Sequence, residues 1–411
     1  MESLSDKLKK LGVQVGAEDL PHPQPKASPS TLEDVLPGRW ISTRHGETFL
    51  VKKEYPQNHR QGQYTLRPAS SLNPVARWLD APDLVHIPLE DFVFIDTETT
   101  SLSGGAGTYT FLVGAGRFEN ESFCVYQYFM RDPSEEPAQL AALESFLTTS
   151  RVVVSYNGKA FDLPRLGSRY RTHGWPVPLQ DIIHIDLLHL SRRLYADLLT
   201  DCTLGNVEYS LLDFERDEED VPGWQVAELF FRYLETKDPA PLRSIFYHNE
   251  MDVISLPALL NLLSSRLASP LPGSKGQLDD LIPLGKFFAD LEDYDLAVKL
   301  LENALENYQL PPDLQLEGIK NLSFLYKKRQ DFQRALPLWE EAAAQDQFYA
   351  YIELAKVYEH QQQSYPEAIH WTLSALELCH NRSGSRTPEE DRIAQLKHRL
   401  QRLKRKLARE E

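Results

Sequence analysis

The sequence predicts an α/β domain with a mixed sheet, followed by an all-α domain. Three observations predict it. Apolar strand-like runs come first (FVFID, TFLVGAGRFE, SFCVYQYFM). Helix and strand patterns then alternate as far as about Leu267, and from about Leu278 only helical periodicity remains.

Residues 1–37 read as a short amphipathic helix and a proline-rich linker, PHPQPKASPS. Residues 38–87 contain ETFLVKKEY and GQYTLRPA, strand-like pieces joined by a polar turn, which predict a small β-hairpin extension. The central domain spans 88–268. FVFID is its buried opening strand, and the glycine-rich SLSGGAGTYT makes a tight strand-to-strand turn. EEPAQLAALESFLTT is helical, with Leu140, Leu143, Phe146 and Leu147 on one face. RVVVSYN returns as a buried strand, IIHIDLLHLSRRL passes from strand to helix, and Trp224–Leu234 and Ser244–Leu263 are helical. His184 and His189, near Asp186, read as parts of an element packed on the sheet, and the acidic run DFERDEED as a solvated loop.

Residues 277–382 carry an internal repeat. Leu284-Gly285-x-x-Phe288 precedes Tyr294-x-x-Ala297; Leu322-Ser323-x-x-Tyr326 precedes Phe332-x-x-Ala335; Leu354-Ala355-x-x-Tyr358 precedes Tyr365-x-x-Ala368. Small residues let paired helices approach and aromatics fill the gap between them, a pattern that looks like tetratricopeptide repeats. Residues 387–411 form a basic helix, read as a cap on the stack.

Composition narrows the function. The net charge of −16 removes a whole-protein basic footprint for nucleic acid, so any such grip is local or runs through metal ions held by carboxylates. Three scattered cysteines argue against a zinc cluster or a disulfide framework. Without an apolar leader or a long apolar run, a cytoplasmic chain with no membrane span is expected.

Three carboxylate motifs carry the chemistry. Asp96 and Glu98 end the FVFID strand two residues apart, so both point to one face. Such a pair repels itself unless a cation lies between, and oxygen ligands suit Mg²⁺ or Mn²⁺. Asp162 follows a strand and the Asn157-Gly158 turn, near a helix start marked by Pro164. His248 and Asp252 lie four apart on one helix face, where a carboxylate holds a metal and an imidazole takes a proton from water. Each motif alone also reads as a solvated turn pair, a helix cap or a surface contact.

Together, Asp96-Thr97-Glu98, Asn157-x-x-x-Phe161-Asp162 and His248-x-x-x-Asp252 resemble the three motifs of DEDD exonucleases. DTETTSLSGGAGTY, SYNGKAFDLPRL and HNEMDVISL are most similar to the YprB-type ribonuclease-H-like domain family. The resemblance covers the middle of the chain and implies a ribonuclease-H-like fold, a two-metal site of Asp96, Glu98, Asp162 and Asp252, and 3′–5′ hydrolysis of DNA or RNA. Thr97, Tyr156, Asn157, Lys159 and Tyr247 are candidate substrate contacts at a 3′ end. The general base is left between His248 and Tyr247: DEDD subclasses place a tyrosine four residues, or a histidine five residues, before the last Asp, and here the two types are exchanged. Helix geometry favours His248. The repeats would serve a protein partner. The rival expectation is a nuclease-like domain without turnover inside a repeat adaptor. A phosphatase is disfavoured because no D-x-D-x-T nucleophile motif occurs.

Overall fold

The structure, a computed structural model, describes residues 31–56, 58–101, 107–180, 182–271, 280–307, 310–381 and 388–409. The expected N-terminal helix and proline-rich linker (1–30) lie outside the described residues, as does half of the glycine-rich turn (102–106).

A short helix, α1 (Leu32–Val35), leads into β1 (Gly38–Thr43) and β2 (Gly46–Pro56). β3 (Arg60–Gln61) and β4 (Tyr64–Thr65) make a separate two-stranded ribbon, and α2 (Asn73–Trp78) follows. Next come β5 (Phe92–Thr99), β6 (Thr110–Glu119), β7 (Ser122–Phe129), α3 (Glu136–Leu147), β8 (Val152–Ser155), α4 (Asp162–Thr172), β9 (Ile183–Asp186) and α5 (Leu187–Tyr195). α6 (Leu204–Val207) runs on into a π-helical turn, Glu208–Leu212, and α7 (Gly223–Thr236) and α8 (Leu242–Ala268) complete this part.

The main sheet has seven strands in the order β1-β2-β7-β6-β5-β8-β9. β5 pairs antiparallel with β6 and parallel with β8, so the sheet is mixed as expected. The expected hairpin between ETFLVKKEY and GQYTLRPA does not form. ETFLVKKEY does form β2, but its hairpin partner is β1, and β2 also pairs with β7, so this hairpin extends the main sheet rather than preceding it. GQYTLRPA supplies only the two residues of β4.

Side chains alternate across β5, and this alternation places the site. Phe92 and Phe94 face α8, in a core shared with Val253, Ile254 and Leu256. Val93 and Ile95 face α3 and α4, packed with Leu140, Leu143, Leu166 and Tyr170. α4 is tied to α3 by a buried ion pair, Arg169 Nε to Glu136 Oε1 at 2.6 Å.

Seven further helices follow among the described residues: α9 (Leu281–Asp290), α10 (Tyr294–Asn307), α11 (Pro312–Lys328), α12 (Phe332–Ala344), α13 (Phe348–His360), α14 (Tyr365–Asn381) and α15 (Pro388–Leu407). Short turns join α9 to α10, α11 to α12 and α13 to α14. Ala297, Ala335 and Ala368 are fully buried in the second helix of each pair. A Cβ at Gly285 would fall 2.7 Å from Leu301 Cγ, which explains the small residue there. α9 shares one continuous core with the sheet domain: Leu281, Ile282 and Leu284 pack in the same cluster as Leu187, Leu190 and Leu263. Arg266 at the end of α8 grips Asp280, just before α9, at 2.6 and 2.7 Å.

Candidate metal centre

Continuing the β5 alternation, Asp96 and Glu98 emerge on the α8 face and Thr97 on the α4 face. Between Glu98 and Thr99 the pairing with β6 shifts register, a bulge-like irregularity at the strand end that carries the two carboxylates. Opposite Asp96 stands Gly114 of β6. A Cβ there would lie 2.3 Å from Asn249 Oδ1 and 2.7 Å from Val253 Cγ2, so the bare backbone is what lets α8 close onto the sheet. Asn249 then donates from Nδ2 to Asp96 Oδ2 at 2.9 Å, while its Oδ1 accepts from Gln127 Nε2 at 3.0 Å. The second bond fixes which end of the amide meets the carboxylate.

His248 and Asp252, one helical turn apart on α8, close over Glu98. Ligating atoms of Glu98, His248 and Asp252 all lie within 4.8 Å of one another, a group able to hold a metal ion. His248 Nδ1 is 2.7 Å from Asp220 Oδ1, and its Nε2 is 3.6 Å from Asp252 Oδ2. Asp162, the first residue of α4, is buried and accepts a 2.5 Å hydrogen bond from Thr97 Oγ1. The turn before it is held by Asp186, which is buried and accepts from the backbone N–H of Asn157 at 2.8 Å and of Lys159 at 3.0 Å. Asn157 has φ of 65°, the left-handed conformation that asparagine tolerates.

The remaining candidates sit further out. The Tyr156 hydroxyl donates to the Cys202 carbonyl at 2.7 Å, the Lys159 side chain is exposed, and the Tyr247 hydroxyl accepts from the Asp217 N–H at 3.4 Å. The acidic run Asp213–Asp220, expected to be a solvated loop, is only partly so. Asp217, Glu218 and Glu219 are exposed, but Arg216 and Asp220 turn inward. Arg216 bonds the fully buried Glu208 at 2.7 and 2.8 Å, reaches Asp252 with the same guanidinium, and lies 3.4 Å from His248 Nδ1. Asn249, Glu208, Arg216, Asp220 and Gly114 were therefore missed from sequence. The available signal was Arg216 standing as the only cation in an eight-residue acidic run.

Electrostatically the cluster is short of positive charge. Burial, then Asp252, Asp162 and Glu98, hold the Asp96 carboxyl well above the usual carboxylate range. Burial lifts Glu98 to about 8, with Asp252 and Asp162 adding to the rise and His248 and Arg216 opposing it. Burial also raises Asp162 to about 6, against the Thr97 hydrogen bond. For His248 burial opposes the charged ring, but Asp252, Asp220 and Glu98 outweigh it and raise the imidazole to about 9. Carboxyls raised this far by burial and by one another are groups that an added cation would stabilise in their ionised form. A donor set of carboxylate oxygens with one imidazole fits a hard divalent ion.

A match to a family model agrees with this architecture. Residues 93–264, from β5 through most of α8, match RNase_H_2 of the RNase_H superfamily. The family B DNA polymerase of the hyperthermophilic archaeon Pyrobaculum calidifontis aligns with 59% of this chain at 17% identity and a TM-score of 0.35; the chain spans 29% of that polymerase. The uncharacterized protein YprB of Bacillus subtilis (strain 168) is 33% identical over 375 residues, 88% of this chain and 86% of its own length. The chain thus belongs to the YprB family, and its central domain to the ribonuclease H superfamily.

Proposed function

We propose that the protein is a metal-dependent nuclease of the DEDD type, removing nucleotides from the 3′ end of DNA or RNA. The observation that carries this reading is the convergence of Glu98, His248 and Asp252 within 4.8 Å, beside the electrostatically linked Asp96 and Asp162. Asp96, Glu98 and Asp252, with Asp162, would hold two Mg²⁺ or Mn²⁺ ions, which supply phosphate charge neutralisation, an acidified water and leaving-group stabilisation when bound.

The protein's own groups do the rest. Asn249 orients the Asp96 carboxylate, and Thr97 orients that of Asp162. Asp220 holds His248 by Nδ1, so Nε2 faces the carboxylates; divalent ions on those acids would offset the charge that raises the imidazole and leave Nε2 as the atom placed to take a proton. Tyr247 has its hydroxyl on the loop backbone, which favours His248 as the base. Phe161 is 37% exposed next to Asp162, with Arg165 stacked 4.3 Å above its ring, and offers a terminal base a stacking surface. The buried small residues of α9–α14 support tetratricopeptide-like repeats and, with them, a surface for a protein partner.

One observation favours a second reading. Arg216 already bonds Asp252, as an internal cation would in a domain that no longer turns over. Labelled single-stranded DNA and RNA oligonucleotides, incubated with Mg²⁺ or Mn²⁺, separate the two. Stepwise shortening from the 3′ end that disappears in Asp96→Ala supports the nuclease. No shortening of any oligonucleotide at any metal concentration, or equal shortening by Asp96→Ala, rejects it and leaves the adaptor.

A further inference from the structure

Far along the chain from the carboxylates, α13 and α15 enclose a cleft of about 360 Å³, within the range of small-ligand sites (~300–1,000 Å³). Its floor is apolar, from Phe348 and Leu396, and four cationic side chains line it: Lys356, Arg392, Arg399 and Arg402. Among the described residues, no carboxylate lines it.

The charges beneath it do not balance. Glu359, whose side chain is fully buried, receives Arg399 at 3.1 Å, Arg402 at 2.7 Å and Lys406 at 2.9 Å, so one negative charge faces three positive ones. Lys356 shares the single carboxylate of Glu353 with Lys327. Burial and the charge of Arg402 lower the pKa of Arg399 even though Glu359 opposes them. Lys397, Lys404 and Arg405, all exposed, continue the positive charge along α15. In a chain of net charge −16, this is a concentrated exception.

We propose that this cleft is a second nucleic-acid site, which binds the phosphate backbone of a single strand. Arg399, Arg402 and Lys356 offer donors to phosphate oxygens. Phe348, with Arg392 stacked 5.3 Å from its ring, offers flat faces to a base. An acidic peptide would satisfy the cations but would leave those stacking faces unused, so nucleic acid is the occupant the chemistry favours. The site does not depend on hydrolysis.

The test is fluorescence anisotropy with a labelled oligothymidylate and the full chain in EDTA, where no metal-dependent cleavage occurs. The result is therefore independent of whether the carboxylate site is a nuclease. Lys356→Glu combined with Arg392→Glu should weaken binding at least about tenfold, through one lost phosphate contact and one lost stacking partner, and the lost phosphate contact should flatten the slope of log affinity against log salt by about 0.7. Lys356→Gln with Arg392→Gln, gentler on the fold, should give a smaller loss in the same direction, with an unchanged melting curve. Unaltered affinity and salt slope in both variants would overturn the proposal, as would tighter binding of polyglutamate than of the oligonucleotide.

Discussion

Arg216 holds Asp252 with one edge of its guanidinium while the other edge is fixed to Glu208, a carboxylate with no exposed side-chain surface. An acidic loop thereby reaches into the carboxylate cluster and supplies a charge that a divalent ion would otherwise bring. Removing one member of a buried pair leaves the other uncompensated, at about 3–5 kcal/mol. Arg216→Gln is expected to lower stability to urea in EDTA by that order, and added Mn²⁺ should stabilise the variant more than the wild type. Equal urea midpoints in EDTA would show that the pair is solvated and energetically idle.

The raised carboxylates predict how metal binding responds to pH. Glu98 titrates near 8 in the fold against 4.5 when unperturbed, so its contribution to stability is complete below about 4.5 and lost as pH rises through about 8. An ion must displace that proton, and the one on Asp162 near 6. Mn²⁺ affinity should therefore tighten as pH goes from about 6 to 8, with proton release detected by calorimetry in buffers of different ionisation heat. A flat affinity over that interval would contradict the assignment.

Asp96→Asn should separate stability from activity. The asparagine keeps the shape and removes an acid whose ionised form is opposed by burial and three neighbouring acids. In EDTA its melting temperature should rise, by on the order of 1 kcal/mol or more in stability, while hydrolysis with Mg²⁺ disappears. A variant less stable than wild type without metal would mean that Asp96 is already compensated.

The two candidate bases predict different kinetics. His248→Gln should lower kcat by about 10²–10⁴-fold, the usual span for loss of a general base. Tyr247→Phe loses only a weak contact to the Asp217 backbone and should stay within a few-fold of wild type. The opposite ranking would transfer the role to Tyr247.

Gly114 lies beneath the helix that carries His248 and Asn249. An added methyl collides with Asn249 and Val253, and overpacking of this kind costs about 1–3 kcal/mol. Gly114→Ala should lower both stability and metal affinity, because Asn249 is pushed off Asp96. Full metal affinity in that variant would show that Asn249 does not position the carboxylate.

The residues readable from sequence were those whose placement is periodic. Asp96 and Glu98 share a face because a strand repeats every two residues, and His248 and Asp252 because a helix returns after about four. Asp162 was readable because a turn and a proline mark the start of its helix. What escaped depends on partners distant in the chain. Nothing local says that Arg216 will find Glu208 and Asp252, or that Gly114 is small to admit Asn249. The β1–β2 hairpin was misjudged for the same reason: polar residues hid the short strand GRWIST, whose pairing is decided by β2 and, through it, by β7.

The shared core between α5, α8 and α9, pinned by Arg266 and Asp280, makes the helical array a bracket rather than a tether. Thermal motion at that joint would have to tear apolar surface from Leu281 and Leu284. A strand engaged at both the carboxylates and the far cleft must therefore span a fixed gap. The protein would act as a ruler, with a shortest productive substrate set by the span of the helices, whatever the base sequence.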